Sequence, residues 1–201
     1  MKNNLLFPVF LKIEKLNILL VGAGYVGTEK LNALLSNCPD ANIMVVADRI
    51  SDSVSRLAVK HWNVRLVQRR FLFSDLLKKD LVFLATDDTS LHKRIVIETR
   101  KQQILTNVAD TPELCDFYLG SIVQKGNLKI GISTNGKSPT VAKRIREYLE
   151  DIIPDNINLL LENMCQFRDR IKGDFKQKVD KLNEFTRSFL EENNHGKIHQ
   201  N

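Results

Sequence analysis

The sequence NILLVGAGYVGTEKLNALL, residues 17–35, contains the pattern that decides the fold. An apolar run ends in three glycines with G-x-G-x-x-G spacing, and leucines then recur at helical intervals. This order predicts a strand, a tight turn and a helix, the arrangement that binds dinucleotides. In such a turn Gly22 permits the bend, Gly24 lets a pyrophosphate approach the backbone, and Gly27 lets the helix pack closely on the strand. The first-turn N–H groups at Tyr25 and Val26 would point at the phosphates.

These glycines have an alternative interpretation, in which they serve close packing and bind no ligand. Three glycines at this spacing are weak evidence on their own. Here the strand before them and the helix after them supply the context that the dinucleotide fingerprint requires, so we favour a dinucleotide site.

The composition predicts a globular protein with one main domain and a smaller partner domain. The chain has 201 residues, of which 43% are hydrophobic and 27% charged, so it is long enough to bury a core. The formal net charge of +6 suits an anionic partner, either nucleic acid or a polyanionic small molecule.

The sequence predicts a cytoplasmic protein without a membrane anchor. No apolar run is long enough to span a bilayer, and the first run contains Pro8 and leads directly into charged residues, unlike a signal peptide. The three cysteines, Cys38, Cys115 and Cys165, are far apart, so we expect reduced thiols rather than disulfides or a metal site.

Apolar runs alternate with helical patterns through the first half of the chain. They predict strands at residues 41–47, 64–67, 81–85 and 104–108, with helices between them, and a short edge strand at residues 7–11. Alternation of this kind predicts an α/β fold with a Rossmann-like parallel sheet that helices cover on both faces.

Polar residues follow the predicted strands at the edge where parallel sheets bind ligands. Asp48 lies about 20 residues past the glycines, where an acidic residue binds the adenosine ribose and favours NAD over NADP. Arg49 weakens that preference, and Asp48 has an alternative role as a helix N-cap or turn acid. The same edge collects further candidates for the cofactor site, namely Thr86, Asp87 and Asn107.

The pattern changes after Pro112. Residues 121–124 and 128–132 predict two short antiparallel strands, and a helix follows over residues 139–151 with Ser138 as its N-cap and Pro139 at its first position. The loop before this helix consists of Ser133, Thr134, Asn135, Gly136, Lys137 and Ser138. Hydroxyls, free N–H groups and a lysine at a helix N-terminus suit a carboxylate or phosphate, and Lys143, Arg144 and Arg146 follow shortly after. A well-capped surface helix with solvated lysines is the alternative.

The last part of the chain predicts a helical arm. Apolar residues between positions 157 and 189 follow a nearly 3-4 repeat, which indicates packing against the same chain or in a homodimer. The polar tail from residue 193 is expected to be disordered. His195 and His199 have metal-ligand spacing but no acidic or thiol companion, so we expect no metal site there.

Four stretches together resemble a known family far more specifically than the glycines alone. They are FPVFLKIEKLNILLVGAGYVGTEKL, DLVFLATDD, ILTNVADTPELCDF and ISTNGKSPTVAKRIREYLE, in order between Phe7 and Glu150. The chain resembles the precorrin-2 dehydrogenase/sirohydrochlorin ferrochelatase family, which also forms the N-terminal module of sirohaem synthase.

The resemblance implies a domain organisation and an activity. It implies an NAD-binding Rossmann-like domain at residues 1–112, a small α+β dimerisation and substrate-binding domain at 113–152, a C-terminal helical domain at 153–192 and the tail at 193–201, in an intertwined homodimer. It implies NAD-dependent oxidation of the tetrapyrrole precorrin-2 to sirohydrochlorin, with ferrous iron insertion in some members. The family's catalytic aspartate falls on Asp110, and the serine of its S-[ST]-x-G loop falls on Ser133.

The residues fit this chemistry independently. Oxidation of precorrin-2 removes a hydride and a proton, so the site needs a nicotinamide acceptor and a base, and Asp110 lies at the expected sheet edge. Its alternative role is to cap the turn before Pro112. The substrate's many carboxylates suit the loop at residues 133–138.

Two other classes of protein compete with this interpretation. One is an NAD-sensing regulatory module without turnover, which gives no role to Asp110. The other is a nucleic-acid-binding protein, which needs basic residues interleaved with aromatic ones, a feature absent apart from Arg69-Arg70-Phe71.

Overall fold

The computed structural model describes residues 4–170, 176–177 and 179–183, and it divides into two compact units. The first unit extends to Leu119 and the second begins at Gly120. None of the helices in the described ranges is both long and apolar enough to cross a membrane.

The first unit is a parallel sheet with helices between its strands. Its elements are β1 (Asn17–Ala23), α1 (Tyr25–Asn37), β2 (Asn42–Ile50), α2 (Asp52–Val59), β3 (Val64–Gln68), β4 (Leu81–Leu84), α3 (Thr89–Lys101) and β5 (Leu105–Val108). The strands lie in the order β3-β2-β1-β4-β5 and pair in parallel throughout. This confirms the predicted Rossmann-like sheet. Three short 3-10 turns, Ile13–Lys15, Phe73–Leu76 and Pro112–Leu114, complete the unit.

The sheet is buried on both faces, which explains why its central strands are continuous apolar runs. Every residue of β4 is buried, as is β1 from Ile18 onward. One face of the sheet packs against Leu31 and Val54 of α1 and α2, and the other packs against Ile95 of α3. Burial of each such side chain contributes about 1.5–3 kcal/mol.

The strand predicted at residues 7–11 is wrong. These residues form no strand, and Phe7 and Phe10 are exposed. Pro8 has no N–H to donate to a ladder, and the sheet ends at β3 and β5 without the N-terminal segment.

The first unit continues past the predicted domain boundary at residue 112. The segment after Pro112 returns to β5, where the Asp116 N–H donates to the Thr106 carbonyl at 2.8 Å. The Phe117 ring contacts Phe83 edge to face, with ring centroids 5.4 Å apart. Residues 113–119 therefore belong with the sheet, and the division falls after Leu119.

The second unit contains a hairpin and two helices. Its elements are β6 (Ser121–Lys125), β7 (Leu128–Ile132), α4 (Pro139–Ile152) and α5 (Ile157–Arg170). The two strands pair antiparallel, as predicted, and turn at Gly126, whose φ is +55°. The Ser138 hydroxyl accepts from the Val141 N–H at 3.2 Å, which confirms the predicted N-cap of α4.

The predicted arm at residues 157–189 is described only in part. Its first half is α5, and its last residues lie outside the described residues. The predicted disordered tail at 193–201, with His195 and His199, also lies outside them.

Candidate active site

The glycine turn after β1 divides its three glycines between two tasks. A Cβ at Gly22, where φ is +104°, would collide with the Ala85 carbonyl oxygen. A Cβ at Gly27 would collide with the Gly22 carbonyl oxygen. A Cβ at Gly24 would meet nothing within 4 Å. Gly22 and Gly27 are therefore required by the fold, whereas Gly24 borders open space that a ligand can enter.

The N-terminus of α1 is open to an anion. Gly24 is its N-cap, and no side chain caps the first turn, so the N–H groups of Tyr25, Val26 and Gly27 have no intrahelical acceptor. These N–H groups and the positive end of the helix dipole form the usual binding site for a pyrophosphate. The turn therefore fits the dinucleotide that the sequence predicts.

Asp48 lies exposed near the end of β2. Its carboxylate accepts a hydrogen bond from the Arg49 N–H at 2.9 Å, and the N-cap of α2 is Ser51 instead. This excludes the N-cap interpretation of Asp48. The Ser51 N–H donates to the Ala23 carbonyl at 3.1 Å, which ties the end of β2 to the glycine turn.

Thr86 follows β4 and lies against the glycine turn. A Cβ added at Gly22 would be only 3.0 Å from the Thr86 methyl group. Its hydroxyl is 2.8 Å from Nε2 of His92, whose side chain is only 2% exposed. Burial lowers the pKa of His92, and the nearby carboxylates of Asp88 and Asp87 oppose that shift. His92 is a residue that sequence reasoning missed, because its partner lies across the turn between β4 and α3. Asp87 itself is exposed.

Asn107 belongs to the interior of the first unit. Its side chain is 3% exposed, and its amide donates to the Phe117 carbonyl at 2.8 Å. The amide thus holds the segment that returns along β5. Contact between Asn107 and a cofactor stays a prediction.

Asp110 presents a free carboxylate at the carboxyl end of the sheet. It follows β5 by two residues, its side chain is exposed, and its backbone has a φ of +56°. Among the described residues, none donates a hydrogen bond to its carboxylate, so the capping interpretation has no support. Lys30 on α1 lies near enough to interact electrostatically with Asp110 and Cys115, while burial lowers the pKa of its amine. Sequence reasoning missed Lys30, since only the fold brings it near this turn.

The loop at residues 133–138 uses part of its polar groups to shape itself. The Thr134 hydroxyl donates to the Ser138 carbonyl at 3.1 Å and accepts from the Ser138 N–H at 3.3 Å. Asn135 and Gly136 have φ values of +54° and +72°. Lys137 is exposed and forms no ion pair with any residue in the described ranges.

The basic residues of α4 are engaged along their own helix. Arg144 pairs with Glu147 at 2.8 Å, and Arg146 pairs with Glu150 at the same distance. Lys143 lies 3.9 Å from Glu147. The loop therefore offers Lys137, and not these helical cations, as its free positive charge.

The described residues of the chain contain no evident metal centre. Within residues 4–170, 176–177 and 179–183, no three His, Cys, Asp or Glu side chains form a group that could hold a metal ion.

Two family models match the chain. Residues 9–121 match a model described as putative NAD(P)-binding, and residues 125–152 match one described as sirohaem biosynthesis protein central. The first match covers most of the first unit and ends at the start of β6, and the second covers β7 and α4.

Several relatives are sirohaem synthases that are much longer than this chain. The siroheme synthase of Pseudoalteromonas atlantica is 40% identical over 169 residues, which cover 84% of this chain and 36% of the relative. That of Psychrobacter cryohalolentis is 36% identical over 196 residues, which cover 96% of this chain and 36% of the relative. The chain thus spans about a third of the length of these relatives.

A solved structure has the same fold. SirC, precorrin-2 dehydrogenase, matches 94% of this chain and 100% of its own with a TM-score of 0.71, at 23% sequence identity. Because the putative NAD(P)-binding model matches more than half of the chain, the chain belongs to that family, and a segment that matches the sirohaem biosynthesis model follows it.

Proposed function

We propose that this protein oxidises precorrin-2 to sirohydrochlorin, with NAD as the acceptor and Asp110 as the base. One observation carries the proposal. An exposed carboxylate without a hydrogen-bond donor among the described residues stands at the carboxyl edge of the same parallel sheet whose glycine turn is open to a pyrophosphate. The NAD(P)-binding match and the similarity to siroheme synthases support the same reaction.

The glycine turn and Asp48 would hold the cofactor. The N–H groups of Tyr25, Val26 and Gly27 would bind the pyrophosphate, and the Asp48 carboxylate would accept hydrogen bonds from the ribose hydroxyls. Bound NAD supplies the hydride acceptor. Asp110 accepts the proton that leaves with the hydride.

The loop at residues 133–138 would bind carboxylates of the tetrapyrrole. Lys137 supplies the charge, and Ser133 and Asn135, both exposed, supply hydrogen bonds. Thr134 and Ser138 would support the loop and would not bind the substrate directly, because their hydroxyls already hold the loop and cap α4.

The protein would work as a homodimer, because the second unit leaves one face of α4 uncovered. Val141, Ile145, Tyr148 and Ile152 lie on one stripe of that helix and are 41–59% exposed. A two-stranded sheet such as β6 and β7 is marginal on its own. A second copy of the chain would cover this stripe.

The free thiols of Cys38, Cys115 and Cys165 fit a reducing cytoplasm.

Anaerobic incubation with precorrin-2 and NAD tests the reaction. We expect the absorption spectrum of sirohydrochlorin to develop, faster with NAD than with NADP. Folded protein that binds NAD but leaves precorrin-2 unchanged would favour the NAD-sensing alternative. Preference for NADP would instead make Arg49, and not Asp48, the residue that selects the cofactor.

A further inference from the structure

We propose that Cys115 is a positioning residue for Asp110, whose turn its thiol holds from both sides. The inference rests on the proposed role of Asp110 as the base. The sequence gives no sign of it, because a single cysteine without a partner motif indicates neither a metal site nor a nucleophile.

Cys115 lies against the open edge of β5. This strand is the last in the sheet, so one side of its backbone has no neighbouring strand. At Thr106 that side is satisfied by Asp116, whose carboxylate accepts from the Thr106 N–H at 2.9 Å and whose N–H donates to the Thr106 carbonyl at 2.8 Å. The returning segment thus replaces a strand through side chains as well as backbone.

At Val108 a thiol supplies the hydrogen-bond partners of the open backbone edge. The Cys115 sulfur accepts from the Val108 N–H at 3.2 Å and lies 3.1 Å from the Val108 carbonyl oxygen, to which the S–H can donate. A neighbouring strand would meet this residue with one backbone acceptor and one backbone donor. Cys115 supplies both from a single atom.

The sulfur also reaches the far side of the turn. It lies 3.5 Å from the carbonyl oxygen of Thr111, so it contacts backbone on each side of Asp110. Asp110 has a φ of +56°, a left-handed conformation that a residue other than glycine keeps only when its surroundings impose it. The thiol contacts both ends of this turn, and the Thr111 hydroxyl, which donates to the Ala109 carbonyl at 3.3 Å, closes the turn itself.

The protonated thiol is the form that can do this. A thiolate has no hydrogen to donate to either carbonyl oxygen, whereas a thiol can donate to one and accept from the Val108 N–H. Burial raises the pKa of Cys115, which favours the thiol, although the nearby Lys30 amine opposes the shift. The same environment argues against Cys115 as a nucleophile, because nucleophilic cysteines have lowered pKa values.

Steady-state kinetics of Cys115→Ala and Cys115→Ser provide the first test, with Cys38→Ala as the control for removal of another half-buried thiol. We expect Cys115→Ala to lower kcat for precorrin-2 about 10- to 100-fold, because a small displacement of a catalytic group costs that much. NAD affinity should stay within about twofold of wild type. Serine can donate and accept but is smaller than cysteine, so Cys115→Ser should recover part of the loss. Wild-type kcat in Cys115→Ala would overturn the proposal.

A double variant separates an effect through Asp110 from a general one. In the Asp110→Asn background, Cys115→Ala should cause no further loss of kcat, because the group that it positions is already gone. If the two losses multiply instead, the thiol acts elsewhere and the proposal is wrong.

Amide hydrogen exchange tests the positioning without relying on the reaction. Peptides covering residues 106–111 should exchange faster in Cys115→Ala than in wild type or Cys38→Ala, with the Val108 N–H most affected. Unchanged exchange there would overturn the proposal even if precorrin-2 is oxidised. Absence of turnover in the wild type would overturn the proposed function alone, since the exchange measurement would still decide the role of Cys115.

Discussion

The two units differ in how completely they bury their own apolar residues. The first unit covers both faces of its sheet with its own helices, and its central strands are fully buried. In the described part of the second unit, the buried apolar residues are Val123, Ala142 and Ile157, while α4 exposes a continuous stripe. The first unit therefore has an extensive core of its own, and the described part of the second unit has a small one.

The same difference separates the proposed cofactor site of the first unit from the proposed substrate loop of the second. In the cofactor site, collisions with backbone atoms require Gly22 and Gly27, so geometry alone explains these residues. In the substrate loop, Thr134 and Ser138 hold the backbone, and Lys137 forms no ion pair with a described residue. Variants that affect one unit and spare the other test this contrast.

The largest effect is expected at Asp110. Asp110→Asn removes the base and should lower the rate of precorrin-2 oxidation by about 10²- to 10⁴-fold. NAD binding should be unchanged, since the glycine turn is intact, and calorimetry checks this. Near-normal turnover would remove Asp110 from the mechanism.

The same variant examines ferrous iron insertion into supplied sirohydrochlorin. If wild type inserts iron and Asp110→Asn does not, one carboxylate serves both activities. If insertion survives in the variant, it needs no base at this position. If wild type inserts iron no faster than the spontaneous reaction, the protein is a dehydrogenase only.

A pair of glycine variants comes next and separates folding from binding within the first unit. Gly22→Ala should destabilise the protein for two reasons. An alanine in the left-handed backbone conformation costs about 1–3 kcal/mol, and the collision of its Cβ with the Ala85 carbonyl oxygen adds to that cost. Gly24→Ala should leave the melting temperature nearly unchanged, because its Cβ meets no protein atom within 4 Å. It should weaken NAD binding about tenfold or more, or ~1.4 kcal/mol, because the methyl group occupies space that the pyrophosphate needs.

Thermal unfolding and calorimetry of both glycine variants decide this prediction. Gly131→Ala is the matched control, since its Cβ also meets nothing within 4 Å and it lies in β7 of the other unit. Equal NAD affinity in Gly24→Ala and Gly131→Ala would leave the glycines with a packing role only.

Most strands, helices and caps were predictable from the sequence because their patterns depend on local spacing. The glycine turn, the order of strands and helices, and the Ser138 cap follow from neighbouring residues. The predicted strand at 7–11 failed although it is apolar, because Pro8 and the position of the sheet edges override propensity.

The site residues that were missed have partners that only the fold supplies. The His92 ring contacts the Thr86 hydroxyl across a turn, Lys30 lies near Asp110, and the Cys115 thiol contacts the edge of β5. The ion pairs of α4 are different, because their i, i+3 and i, i+4 spacing is visible in the sequence. Lys143, Arg144 and Arg146 were nevertheless grouped with the loop from the sequence, whereas the structure pairs them with Glu147 and Glu150.

A charge introduced into the apolar stripe of α4 tests whether a second copy of the chain covers that stripe. Wild type should sediment as a dimer of about twice the 23.0 kDa chain mass. Ile145→Glu should sediment as a monomer, because an unpaired charge in an apolar interface costs several kcal/mol. Ile97→Glu is the matched control, since Ile97 is an exposed isoleucine on α3 of the first unit and should leave the dimer intact. A wild-type monomer at micromolar concentration would contradict the homodimer.

The smallest effect concerns the pH dependence of the first unit's stability. Burial lowers the pKa of His92 in the folded protein, whereas the unfolded chain titrates near the ordinary value of about 6.5. As the pH falls below about 6.5, the unfolded chain binds a proton that the folded chain binds less readily, so stability should fall. The slope for one such group is at most about 1.4 kcal/mol per pH unit.

Denaturant unfolding of His92→Gln and of wild type between pH 7 and pH 5 isolates this effect. The slope of unfolding free energy against pH should be shallower in His92→Gln than in wild type. The Arg69–Asp75 pair does not interfere in this window. Arg69 holds the pKa of Asp75 below its usual range, so that contribution is fully present above about pH 4 and is lost only as the pH falls further. Equal slopes in His92→Gln and wild type would mean that His92 takes up its proton in the folded protein as easily as in the unfolded chain, and that its contact with Thr86 does not depend on the neutral ring.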